Sequence, residues 1–303
     1  MKYLNLIRYQ NLLFIALVQI FIKYGLFYPI TVETTLNTFY FTLLVIATLC
    51  IAAAGNIIND IYDVEIDRIN KPSKVLIGKK ISERTANRLF IILNVIGVVI
   101  GFYLSNSIGK PGFAALFIVF SALLYLYASY LKGMLLIGNL SVSFLVAMSL
   151  IIVALFDILP AITTQNQTAQ SATFKIVLHY ALFAFFINLI REVVKDLQDI
   201  NGDKNGRMNT LAIALGRKRT MTIVFLLGVF MVLGVVFYMY QYLYNQQVLL
   251  LYFLFAIVAP LLYFCIKSWD AETPREYAFL SNLLKIIMFL GICSIPLFSF
   301  TIS

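Results

Sequence analysis

Apolar residues along this chain come in runs of roughly 20, each long enough to cross about 30 Å of hydrocarbon. The runs fall near 11–30, 37–58, 85–105, 111–131, 136–158, 174–195, 219–241, 248–266 and 277–299. Lipid offers a backbone no hydrogen-bond partners, so each run is predicted to be an α-helix. Runs this long exclude the strands of about ten residues that build membrane barrels. The expected fold is an all-α integral membrane bundle of nine transmembrane helices, a single domain over residues 1–303.

Composition agrees with a membrane solvent. The chain is 61% hydrophobic and 12% charged, half of the roughly 25% charge with which a soluble domain covers its surface. Met1–Arg8 leads into the first run without a small-residue cleavage site, so that run is read as a retained helix. Cys50, Cys265 and Cys293 lie in separate apolar runs without metal-ligand spacing and read as buried small hydrophobes. His179, the one histidine, sits mid-helix among Val, Leu and Tyr, where a packing or hydrogen-bonding role is expected.

The net charge of +9 does not point to nucleic acid, because the cations occupy loops between apolar runs. Contact with membrane-lipid headgroups and diphosphates is the expected use. Arg68, Lys71, Lys74, Lys79, Lys80 and Arg84 lie between helices 2 and 3, and Lys204, Arg207, Arg217, Lys218 and Arg219 between helices 6 and 7. The N-terminus carries Lys2 and Arg8, the 4–5 loop Lys132, and the 8–9 loop Lys267 and Arg275, whereas the alternate loops are nearly bare of cations. The positive-inside rule then places the chain in the cell membrane with a cytoplasmic N-terminus and an external C-terminus.

Acids carry the chemistry. Of 14 Asp and Glu residues, eight fall in two segments, 56–68 and 192–204. Asp60, Asp63 and Asp67 repeat the spacing of Asp196, Asp199 and Asp203, and each pair is 136 residues apart. Arg68 and Lys71 map in the same way onto Lys204 and Arg207. The pattern is an internal repeat of about 1–135 and 136–303, with one motif on helix 2 and one on helix 6. Four helices separate equivalent points, so the repeat is parallel and both motifs emerge on the cytoplasmic side.

Acids at i, i+3 and i+7 share one helical stripe. They repel one another and are costly to desolvate near lipid. A hard divalent cation removes that penalty, and Mg²⁺ takes one or two carboxylates together with phosphate oxygens and water. Two such stripes, with basic loops beside them, suit Mg²⁺ bound to a diphosphate that leaves as an allylic C–O bond breaks. A transporter would instead place charges near the midplane, often in inverted repeats, so an enzyme is expected.

At these residues the sequence resembles the UbiA-type intramembrane prenyltransferases. The family's Asn-x-x-x-Asp-x-x-x-Asp motif is matched by Asn59, Asp63 and Asp67, and its second motif by Asp199 and Asp203. The resemblance covers essentially the whole chain. It implies a bundle around a central cavity capped by the basic cytoplasmic loops, a prenyl diphosphate substrate, Mg²⁺, and a lipid or aromatic acceptor.

Within the family, Arg191-Glu192, Lys195-Asp196-Leu197-Gln198-Asp199 and Gly202-Asp203 resemble the branch that alkylates geranylgeranylglyceryl phosphate. Tyr130-Leu131-Lys132 and Gly138-Asn139 do so too. The resemblance implies that Asp63, Asp67, Asp199, Asp203 and Asn59 hold metal. Asn59, Arg68, Lys71, Lys74, Lys195, Lys204, Arg207, Asn139, Arg8 and Asn11 then contact substrates, and Asp60 or Asp196 takes the acceptor proton. An aromatic acceptor of quinone or haem synthesis is the alternative, and a membrane terpene cyclase or a transporter is more remote. Asn139 and Asn188, polar groups within apolar runs, are also read as bonds between helices. Pro260 and Pro296 are predicted to mark kinks.

Overall fold

The computed structural model describes residues 1–73 and 75–301, with the side chains of 300 and 301 left out. Among the described residues the chain is helical, apart from one isolated bridge between Ile77 and Ile81. Nine helices among the described residues are long and apolar enough to cross a membrane. They are α1 Tyr9–Phe27, α2 Thr38–Tyr62, α3 Glu83–Ser107, α4 Pro111–Ser129, α5 Ile137–Ala161, α6 Gln167–Asn205, α7 Arg217–Leu243, α8 Gln247–Trp269 and α9 Pro274–Ser299. Each predicted run overlaps one of them, with overhangs of at most three residues. The largest departure is α6, which continues well past 195 and carries the second motif inside an unbroken helix.

Two compact units form. The first comprises Met1–Gln19, Val32–Lys132 and Met148–Val177. Here α2 packs closely against α3. A Cβ at Gly97 would stand 2.7 Å from the Ile51 side chain and 3.1 Å from the Ala47 carbonyl, so only glycine lets α3 come this near. Asn37 caps α2 by accepting from the Tyr40 N–H at 2.9 Å, and Ser82 caps α3 through Thr85. Gln19, fully buried, donates to the Ser149 carbonyl at 2.9 Å and to Thr48 Oγ1 at 3.3 Å. A buried amide in an apolar interior demands such partners.

The second unit comprises Ile20–Thr31, Gly133–Ala147 and Leu178–Ser303. Here α7 packs on α8, and α8 on α9. The α9 start is closed by a capping box of Thr273 and Glu276. His179 stacks among tyrosines, its ring 5.4 Å from Tyr238 and 5.0 Å from Tyr242, which is the packing role read from sequence. Asn188 donates to Ser143 Oγ on α5 at 3.2 Å, one of the expected interhelical bonds. A π-helical turn, Phe253–Val258, precedes Pro260, and regular helix in α9 ends at Cys293 before Pro296. Proline removes the backbone donor that a continuing helix needs, so irregular backbone collects beside it.

Candidate active site

The first motif sits where α2 gives way to a second short helix. Regular helix ends at Tyr62, Asp63 adopts φ −88° and ψ −1°, and Val64–Asn70 resumes the helix. Backbone hydrogen bonds still run four residues back from Asp63 to Asn59, from Asp67 to Asp63 and from Lys71 to Asp67. Asn59, Asp63, Asp67 and Lys71 therefore form a ladder, one turn apart, across the change of helix.

Asn59 and Asp63 are buried, and Asn59 Nδ2 donates to Asp63 Oδ2 at 2.7 Å. The same carboxylate oxygen accepts from Lys132 Nζ, delivered by the turn Leu131–Gly133 after α4. Asp60 is held by Arg8, whose Nη2 lies 2.6 Å from Asp60 Oδ1. Arg8 has φ +52°, a left-handed conformation that a residue with a Cβ adopts only when its surroundings enforce it. The chain turns there between Lys2–Leu6 and α1, and Asn56 donates to the Ile7 carbonyl at 2.9 Å to hold the turn against α2.

Burial holds the Asp67 carboxyl above its usual range. Repulsion from Asp63 adds to that, while Lys71 and Lys132 oppose it. Arg68 pairs locally with Glu65 at 2.7 Å on an exposed face. Asn11 N–H donates to the Arg8 carbonyl at 2.8 Å, within the same turn. Farther along, Ile77 and Ile81 pack with Leu6, Ile57 and Ala86, which anchors that part of the loop. Lys74 lies outside the described residues.

The second motif rides on one continuous helix, α6, 39 residues long. Asp203 is buried, and Asp196 and Asp199 are half-buried. Asn139 on α5 donates to Asp196 Oδ2 at 2.9 Å, so this residue does bond between helices. One turn earlier, the buried carboxylate of Glu192 accepts from Lys195 at 2.8 Å and from Arg191 at 3.3 Å. After α6 the chain turns at Arg207, which has φ +55°. Met208 N–H then reaches the Asp203 carbonyl at 3.0 Å, and Asn209 N–H the Gly133 carbonyl at 2.8 Å. Lys204 and Arg207 stand exposed at this turn.

Among the described residues no three His, Cys, Asp or Glu side chains converge as a ready-made cation cage. Asp60 and Asp63 are drawn to Arg8 and Lys132 instead. The donor set nevertheless fits a hard divalent ion. Asn59 Oδ1 is a buried acceptor with no hydrogen-bond partner, beside two carboxylates that repel each other. An oxygen-liganded ion that also draws on phosphate and water satisfies such a group without three protein carboxylates. Lys132 and Arg191, which carry part of the branch resemblance, are not among the expected metal or substrate contacts, yet Lys132 meets Asp63 and Arg191 meets Glu192. Lys132 is 69 residues from Asp63, a distance over which no helical spacing gives a signal.

The family model described as the UbiA prenyltransferase family matches residues 12–286. A digeranylgeranylglyceryl phosphate synthase of Korarchaeum cryptofilum is 34% identical over 255 residues, covering 82% of each chain. A solved structure concerning digeranylgeranylglyceryl phosphate synthase in membranes superposes with a TM-score of 0.65 at 24% identity, over 99% of this chain and 98% of that one. A UbiA homologue from Archaeoglobus fulgidus, bound to DMAPP and Mg²⁺, has a TM-score of 0.58 at 15% identity over 97% and 99%.

Proposed function

Because the chain belongs to the UbiA prenyltransferase family, we propose that it transfers geranylgeranyl from its diphosphate to the free hydroxyl of geranylgeranylglyceryl phosphate. The chain is a multi-pass membrane prenyltransferase. The acceptor rests on its likeness to the archaeal synthase over four fifths of both chains.

The observation that carries the site is the Asn59–Asp63–Asp67 ladder, with its unpartnered buried oxygen and the Lys132 ammonium already on Asp63. Acid and base interleaved in this way suit a diphosphate brought with divalent metal. We assign Asn59, Asp63 and Asp67 in one motif, and Asp199 and Asp203 in the other, to hold Mg²⁺. The ion, when bound, supplies positive charge to the departing diphosphate.

The chain's own residues do the rest. Lys71, Lys204 and Arg207, with Arg68 and Lys74 at the same loops, neutralise phosphate charge left over. Lys132 orients Asp63 until substrate arrives. Arg8 and Asn11, fixed by Asp60 and the left-handed turn, hold the acceptor end of the site. Asn139 orients Asp196, which accepts the hydroxyl proton as the new C–O bond forms. Lys195, through Glu192, keeps positive charge near that hydroxyl. The loop charges support a cytoplasmic N-terminus and a cytoplasmic active site.

Purified protein is assayed with radiolabelled geranylgeranyl diphosphate against a panel of acceptors. Label should enter lipid with geranylgeranylglyceryl phosphate and scarcely with 4-hydroxybenzoate or 1,4-dihydroxy-2-naphthoate. Faster turnover with either aromatic acid overturns the acceptor while leaving prenyl transfer standing.

A further inference from the structure

On α6, Arg191, Lys195 and Asp199 are four residues apart, so they share one face at steps of about 6 Å. Arg191 thus stands roughly 12 Å along the helix from Asp199, inside the membrane-spanning stretch. A cation at such depth is costly unless it has a task.

Its guanidinium is incompletely used. Nη1 reaches Glu192 Oε1 at 3.3 Å, a carboxylate shared with Lys195, while Nε is buried with no hydrogen-bond partner. A buried charged donor left in this state favours an anionic acceptor. The third cation is Lys285 on α9, which lies within electrostatic reach of Arg191. Lys285 adds positive charge to the same region.

We infer that Arg191 and Lys285 form an anion subsite for the phosphate ester of the acceptor lipid. This rests on the acceptor reading above. The attacking hydroxyl approaches the prenyl carbon from the face opposite the departing diphosphate. The acceptor's headgroup therefore sits across the reacting carbon from the motif that holds that diphosphate. In this proposal Arg191, displaced along α6 from Asp199, takes that side. Its planar fork matches phosphate oxygens, and Lys285 adds a point charge.

The test separates the two phosphate-bearing substrates. In the full chain, Arg191→Gln should raise KM for geranylgeranylglyceryl phosphate by about ten- to a hundred-fold, the worth of a charge-assisted hydrogen bond. KM for geranylgeranyl diphosphate should stay within about two-fold, and Arg191→Lys should recover only part of the loss. With geranylgeranylglycerol, which lacks the phosphate, wild type and Arg191→Gln should perform alike. Binding of an unreactive geranylgeranyl thiodiphosphate reports that the variant is folded. If Arg191→Gln fails that check, Lys285→Met carries the test and should show the same acceptor-selective loss, several-fold in size. Equal losses on both substrates, or an unchanged acceptor KM, overturn the subsite. Wild type that ignores the phosphate lipid and prenylates an aromatic acid overturns the acceptor reading instead, so the two failures are distinct.

Discussion

The two aspartate motifs share one spacing and are built by opposite means. Around the first, the helix changes at Asp63, and the cations that meet its acids come from far along the chain, Arg8 on Asp60 and Lys132 on Asp63. Around the second, α6 runs unbroken, and Arg191 and Lys195 on the same helix meet the carboxylate of Glu192. Asp196 is met by the neutral amide of Asn139. The first motif thus has acids met by cations remote in sequence, and the second adjoins an acid–base cluster formed within one helix. The first motif should depend on parts of the chain remote from it, and the second on the integrity of α6.

The sharpest probe of the shared spacing is loss of an equivalent ligand from each motif. Asp63→Asn and Asp199→Asn should each lower prenyl transfer by at least about 10²-fold, since each removes stabilisation of the leaving diphosphate. EDTA should abolish activity in initial-rate assays, and Mg²⁺ should restore it. Full turnover in chelator would sink the metal assignment, and a large loss from only one variant would break the equivalence of the motifs.

The leading acids should differ. Asp196→Asn removes the proposed proton acceptor and should lower kcat by about 10²-fold, with KM for both substrates little changed. Asp60→Asn loosens Arg8 and should lower kcat/KM by only about ten-fold, chiefly through the acceptor's KM. Similar kcat losses for both would assign them one role.

Stability gives a smaller contrast. Lys132→Met leaves the buried Asp63 carboxylate with the Asn59 amide and should destabilise metal-free protein by about 2 kcal/mol. Lys195→Met leaves Arg191 on Glu192 and should cost about 1 kcal/mol or less. Thermal unfolding in detergent without divalent ions measures both, and the reverse order would refute the tertiary-versus-local distinction.

Topology is read by labelling rather than by activity. Single cysteines at Lys79 and Lys204, in the loops after each motif, should resist impermeant thiol reagents applied from outside. A cysteine within 164–172 should react. Labelling of either motif loop from outside would place that motif on the wrong face for a cytosolic diphosphate.

Nine apolar runs, the loop-charge alternation and the 136-residue offset were legible in the sequence alone. Each depends on local composition or regular spacing, which the bilayer makes decisive: a run that cannot hydrogen-bond to lipid must be helical. The proposed ligand acids were chosen on the same kind of ground, because three carboxylates on one stripe are costly to desolvate near lipid. Only tertiary structure decided how those acids are balanced. No spacing rule brings Lys132 to Asp63 or Arg8 to Asp60, since long-range ion pairs depend on where turns such as Leu131–Gly133 and the left-handed Arg8 deliver their side chains. Nor did helical periodicity reveal the change of helix at Asp63 or the unpartnered Nε of Arg191. Those follow from which neighbours occupy the space around each group, a property of packing that a linear pattern does not carry.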